Sequence, residues 1–176
     1  MTPDEIEKWI GQTEKRMSAF EGVLKELTKR VTVADDIEKI KQLQYRYINA
    51  LIQTNWDDVM DCFSENATFY AYLPKREIKG KAAIEKWFKE SIAKNHVGKE
   101  GDFVVHPIIS VDGDKAKGSW LLYMMYCYPR TGQSLFWVQG YYDIEYVKEN
   151  GTWKFGYFKW AERMGLPGGG PPTGLT

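Results

Sequence analysis

The chain has 176 residues, 43% of them apolar, with 24 acidic and 24 basic side chains. That length suits one domain with a sizeable core, and the balanced charge, without a Lys/Arg run interleaved with aromatics, lacks the footprint of a nucleic-acid binder. No N-terminal segment has signal-peptide character and none approaches the roughly 20 apolar residues of a membrane span, so the sequence reads as cytoplasmic, with no nucleic-acid or membrane partner.

In chain order, the first element is an amphipathic helix over residues 1–31. Ile6, Ile10, Thr13, Met17, Phe20, Leu24, Leu27 and Val31 recur at alternating steps of four and three, the spacing of a coiled-coil seam. Either the seam meets another copy, as an oligomerisation element, or it folds back on its own domain. Thr32-Val33-Ala34 breaks the pattern, and Asp35 with Glu38 predicts a capping box for a new helix to about Gln53. Asn55 predicts the cap of a short helix carrying Trp56, with Asp57 and Asp58 in its first turn. Strands over 67–73 and 76–79 and a helix over 81–95 follow. The rest reads as β: 102–112, a long hairpin over 115–148, and 152–161.

The hairpin is the most informative stretch. Trp120 to Tyr128 is apolar at every position, so both strand faces must be covered. Trp120, Met124 and Tyr126 share one face; Phe136, Gly140 and Tyr142 share a face of the returning strand. Such a lining suits a flat hydrophobic ligand bearing one or two polar substituents; the alternative is a solid core. Leu121, Tyr123, Met125 and Trp137 on the opposite faces predict an apolar patch large enough for an interface, hence a homo-oligomer, dimer or trimer. Residues 165–176, GLPGGGPPTGLT, have the composition of an arm that cannot order itself.

Helices first and an antiparallel sheet afterwards predict an α+β fold, a cone-shaped curved sheet covered on one face by helices, over residues 32–164. The segments DIEKIKQLQYRYINAL, NWDDVMDCFSENATF, IKGKAAIEKWF, HPIISVDGDKAKGSW and GYYDIEYVKENGTWKF, in that order and spacing, resemble the SnoaL-like branch of the nuclear-transport-factor-two-like superfamily, with its cystatin-like fold. That superfamily includes polyketide cyclases, scytalone dehydratase, ketosteroid isomerase and bile-acid 7-alpha-dehydratase. The resemblance to the last implies a dehydration site of one tyrosine, two aspartates and a histidine. Tyr47 falls on the tyrosine position, while Ile52 and Met124 fall on the aspartate positions. Asp102 falls on the histidine position, or His96 does if an insertion spans 99–104. Lys159 and Arg163 are the candidates for a late arginine.

From chemistry alone, dehydration or isomerisation needs a base and an acid near neutrality, a role histidine fills. Two histidines are present, His96 and His106. His106 lies four positions after Asp102, on the same strand face if no bulge intervenes. The expected catalytic group is His106, Tyr47 and Asp102. Trp56, Trp120, Met124, Tyr126, Tyr142, Gly140, Phe136 and Ile52 are expected to bind a small hydrophobic, steroid- or polyketide-like substrate. The alternative for His106 is a half-buried strand residue bonded to a carbonyl beside Pro107. Cys62 and Cys127 lie in apolar patterns without a CxxC partner and read as buried thiols; neither a metal nor another cofactor is expected. The leading expectation is a cofactor-independent dehydratase or isomerase/cyclase, with a non-catalytic binding protein or a structural subunit as alternatives.

Overall fold

The computed structural model describes residues 1–71, 75–94, 96–127 and 134–164, with backbone alone at 126, 127, 134–136, 162 and 164. The expected arm over 165–176 and the side chains of Tyr126 and Phe136 thus lie outside the described residues. Two units divide at Glu38/Lys39. Among the described residues, no helix is long and apolar enough to cross a membrane.

Helix α1 spans Pro3–Ile52. The helix break expected at Thr32–Ala34 is therefore absent. Nothing there forbids a helix: β-branched residues cost only tenths of a kcal/mol each, and the Thr32 hydroxyl donates to the Thr28 carbonyl at 3.0 Å, staying within its own helix. The first unit holds only the part of this helix up to Glu38, and its apolar seam is exposed. In the second unit, Ile40, Leu43, Tyr47, Ile48 and Leu51 are buried, a stripe at helical spacing.

Helix α2 (Trp56–Asp61) is capped by Asn55, whose side chain accepts from the Asp58 amide. β1 (Phe63–Ala71) and β2 (Arg76–Lys79) follow, then α3 (Lys81–Trp87), which widens into a π-helical turn over Phe88–Ile92. β3 (Phe103–Asp112), β4 (Lys115–Cys127), β5 (Ser134–Glu149) and β6 (Thr152–Met164) complete one sheet in the order β2-β1-β6-β5-β4-β3. The sheet is curled and unclosed, an α+β architecture of the expected kind. Its pairings are antiparallel except β1 with β6.

Register fixes which side chains share a face. Trp120 opposes Tyr142, Leu122 opposes Gly140 and Met124 opposes Val138, and these six positions are buried, so the even-numbered side of this hairpin faces inward. The base of that inner face is packed with rings. Phe63, Phe155 and Phe158 lie within 5.0–5.7 Å of one another, Phe69 stacks on Phe158 at 5.5 Å, and Tyr47 reaches in from α1 to 5.1 Å from Phe158. Trp120 belongs to this base: its indole N–H donates to the Tyr146 hydroxyl at 2.8 Å, fully buried, so its only polar atom is satisfied within the core.

The outer face carries part of the expected apolar patch. Trp137 and Ile108 are exposed, whereas Leu121, Tyr123 and Met125 are half-buried. Phe103 stacks on Tyr123 at 5.2 Å, and the Gln139 amide donates to the Tyr123 hydroxyl.

Candidate active site

At the other end of the inner face, polar side chains replace rings. His96 follows the π-helical turn, and its Nδ1 lies 3.0 Å from the Ile92 carbonyl. A carbonyl only accepts, so Nδ1 carries the proton and donates, leaving Nε2 to face inward. That Nε2 lies 3.9 Å from Asp102 Oδ2, and both side chains are almost entirely buried. The separation exceeds a direct hydrogen bond, and Asp102 Oδ2 accepts no hydrogen bond from the described residues. The two groups are thus coupled by charge. Trp56 on α2 presents its ring edge-on to the imidazole at 6.1 Å.

The loop between them is held by Glu100. Its carboxylate accepts from the amides of Val97 at 2.8 Å, Gly98 at 2.9 Å and Lys99 at 3.0 Å, ordering the turn that places His96 opposite Asp102. Gly98 has φ +75°, a left-handed conformation that a side chain would strain. Burial opposes the Glu100 charge, but these backbone donors and the nearby His96 outweigh it and hold the carboxyl below its usual range.

Burial likewise opposes charge on His96. The Asp102 carboxylate, the Ile92 carbonyl and the Asp102 and Glu100 charges prevail, and its pKa lies above the ordinary imidazole value. Tyr47 is driven the same way: burial first, then the Cys62 and Asp102 charges, push its phenol far up, against the bond with Tyr142. It therefore stays protonated and serves as a neutral hydrogen-bonding group. Burial pushes the Cys62 thiol up to about 11, as expected of an inert buried thiol.

Of the expected catalytic group, Asp102 and Tyr47 are close enough to couple electrostatically. His106 does not join them. It is exposed, has φ +52°, and sits where the β3–β4 register shifts between Val105 and Ile108. Pro107 has no amide to give the ladder and is tolerated on this edge strand at a bulge, and the bulge breaks the alternation that would have aligned His106 with Asp102. The imidazole that faces Asp102 is His96, the alternative to Asp102 at the histidine position that the resemblance implies.

The wall is also redistributed. Tyr142 sits beside Tyr47, their rings 6.2 Å apart, and Met124 and Val138 are buried above it. Ile52 ends α1, half-buried. Trp120 serves the core, as described. Space beside Gly140 is filled by protein: a Cβ there would come within 2.8 Å of Trp160 Nε1 and 2.7 Å of the Ala161 carbonyl, so the glycine admits an indole where a ligand was expected. Lys159 lies over the Tyr70 ring at 5.6 Å, on the strand face opposite buried Phe158, and Arg163 is exposed; neither supplies a cation to His96 and Asp102 among the contacts described. Glu100 was not foreseen; a carboxylate just after a glycine turn was its available signal.

The SnoaL-like domain family matches residues 32–159, and the chain belongs to that family. No curated protein matches it in sequence. Among solved structures, a scytalone dehydratase candidate from Novosphingobium aromaticivorans is 18% identical, covering 76% of this chain and 87% of its own, with TM-score 0.65. LinA is 14% identical, with coverage of 81% and 92% and TM-score 0.67. A protein of unknown function from Mycobacterium tuberculosis is 20% identical, with coverage of 73% and 72% and TM-score 0.62. At these identities the likeness establishes the shared cystatin-like fold.

Proposed function

We propose that the protein is a cofactor-independent lyase of the dehydratase type, acting on a small hydrophobic ring compound that carries a hydroxyl β to a carbonyl. The observation that carries this reading is the buried His96–Asp102 pair, with the imidazole proton fixed on Nδ1 and Nε2 turned inward. Buried titrating pairs beside apolar walls are functional-site candidates because burying them costs stability.

Neutral His96 takes the proton from the carbon next to the carbonyl at Nε2, and Asp102 stabilises the imidazolium so formed. Electrons of that C–H bond enter the carbonyl as an enolate, whose oxygen takes a hydrogen bond from the Tyr47–Tyr142 pair. The enolate re-forms the carbonyl, the new C=C bond closes, and the β C–O bond breaks. His96 returns its proton to the departing hydroxyl, which leaves as water. An isomerase uses the same proton shuttle, returning the proton to carbon.

The test is a panel of benzylic and alicyclic β-hydroxy ketones, followed by the ultraviolet absorption of the conjugated enone. Turnover that falls 100-fold or more in His96→Gln, and persists in His106→Gln, supports the assignment. Equal turnover in wild type and His96→Gln overturns it. Saturable binding of these ketones without enone formation would instead make the protein a receptor for such ligands.

A further inference from the structure

The N-terminal helix carries a second piece of chemistry, independent of the site. Its seam from Ile6 to Val31 is apolar at every position but Thr13. The large apolar side chains of that seam are between 41% and 67% exposed. With Ile10, Met17, Leu24 and Val31 at a, and Ile6, Thr13, Phe20 and Leu27 at d, the flanking positions follow from the sequence. The e positions are Glu7, Glu14, Glu21 and Thr28; the g positions are Trp9, Arg16, Val23 and Arg30. The outward b, c and f positions include Lys8, Lys15, Lys25 and Lys29 along with Gly11 and Gly22.

Those flanks discriminate between partners. In a parallel coiled coil each g residue meets the e residue five positions later on the neighbouring helix. Arg16 then meets Glu21, and Arg30 meets Asp35, with no like-charged pair at all. In an antiparallel arrangement e meets e and g meets g; with position 10 opposite position 27 this sets Glu14 against Glu21, and it leaves Arg16 beside Val23 and Arg30 beside Trp9, without an acidic partner. Like charges so placed are destabilising. Glycines at outward positions lower the helix's intrinsic stability by about 1 kcal/mol each relative to alanine, so the helix depends on a covered seam.

We infer that residues 6–31 form a parallel coiled coil with the same segment of further copies of this chain, in register, with Arg16 of one copy paired to the neighbouring copy's residue at position 21. This surface recognises its own sequence through charge pattern as well as apolar contact.

The experiment uses the full chain with Cys62→Ser and Cys127→Ser, and a single new thiol from Leu27→Cys. In a parallel register, two such thiols face each other; in an antiparallel one, position 27 lies opposite position 10, roughly 25 Å away at 1.5 Å per residue. Rapid disulfide formation between chains under mild oxidation is expected, lost when Phe20→Asp is added and slowed by Arg16→Glu, with restoration in Arg16→Glu/Glu21→Arg. Circular dichroism of each variant establishes that the domain remains folded. A monomer in sedimentation velocity overturns the inference, and so does an oligomer whose Leu27→Cys thiols fail to link, which would place the contact elsewhere. Because position 27 reports on the helix alone, the outcome is independent of whether β-hydroxy ketones are turned over.

Discussion

The two ends of the inner sheet face are built on opposite principles. At the base, Phe63, Phe69, Phe155 and Phe158 interlock, and the indole of Trp120 is closed off by Tyr146. At the far end the segment leading into β3 carries a buried imidazole and carboxylate 3.9 Å apart. Rings in contact contribute burial and dispersion; two buried charges cost desolvation that their attraction only partly returns. One end therefore holds the fold together, and the other draws on that stability to keep an imidazole and a carboxylate buried.

The contrast is broken most directly at the base. Phe155 is wholly buried and touches Tyr47, Phe63, Tyr146 and Phe158 through ring contacts of 5.0–5.8 Å. Phe155→Ala is expected to cost about 3–5 kcal/mol, the range for deleting a core aromatic. Urea denaturation measures this; a loss below about 1 kcal/mol would mean the ring stack is not the cohesive element.

At the other end, the expected effect is smaller and depends on pH. The His96 pKa is raised on folding, so its contribution to stability is complete below the ordinary imidazole range, about 6.5. It is lost as pH rises through the higher folded value. Melting temperature should accordingly fall over that interval in the wild type and in His106→Gln, and the step should vanish in His96→Gln. Asp102→Asn removes the principal stabiliser of the imidazolium, leaving burial to dominate, so NMR titration of the His96 ring should move to lower pH than in the wild type. A titration that moves upward, or stays in place, would dissolve the pairing on which the site rests.

The same division explains what could be read from sequence. Burial is a pattern property: the unbroken apolar run from Trp120 to Tyr128 marked a strand covered on both faces, and its even-numbered side is the inner face, whereas the parallel pairing of β1 with β6 left no local signal. The polar end depends on interruptions of pattern. Pro107 on an edge strand produces the bulge that turns His106 away, and a proline there was the visible sign that alternation would fail. The turn 97–100, fixed by Glu100 and left-handed Gly98, brings His96 to Asp102 across a gap that no periodicity spans. Continuity of α1 through Thr32–Ala34 is the converse case, where local cap signals were outweighed by the absence of any helix-breaking residue.

The apolar stripe of α1 holds one wholly buried polar side chain. Gln44 lies on the buried stripe of α1, one turn from Ile40 and from Ile48, and is 0% exposed. Neither its amide nitrogen nor its amide oxygen has a hydrogen-bond partner among the described residues. A buried polar group left in that state costs about 1–3 kcal/mol, and no opposite charge offsets it as Asp102 does for His96. Methionine matches the length of glutamine, keeps helix propensity and brings no polar group needing a partner. Gln44→Met is therefore expected to raise stability by about 1 kcal/mol, seen as a higher urea midpoint at unchanged slope, with β-hydroxy ketone turnover unaltered. If Gln44→Met instead lowers stability by a similar amount, the amide is satisfied in solution. The buried stripe of α1 would then be partly polar, and its difference from the His96–Asp102 end would be one of charge alone.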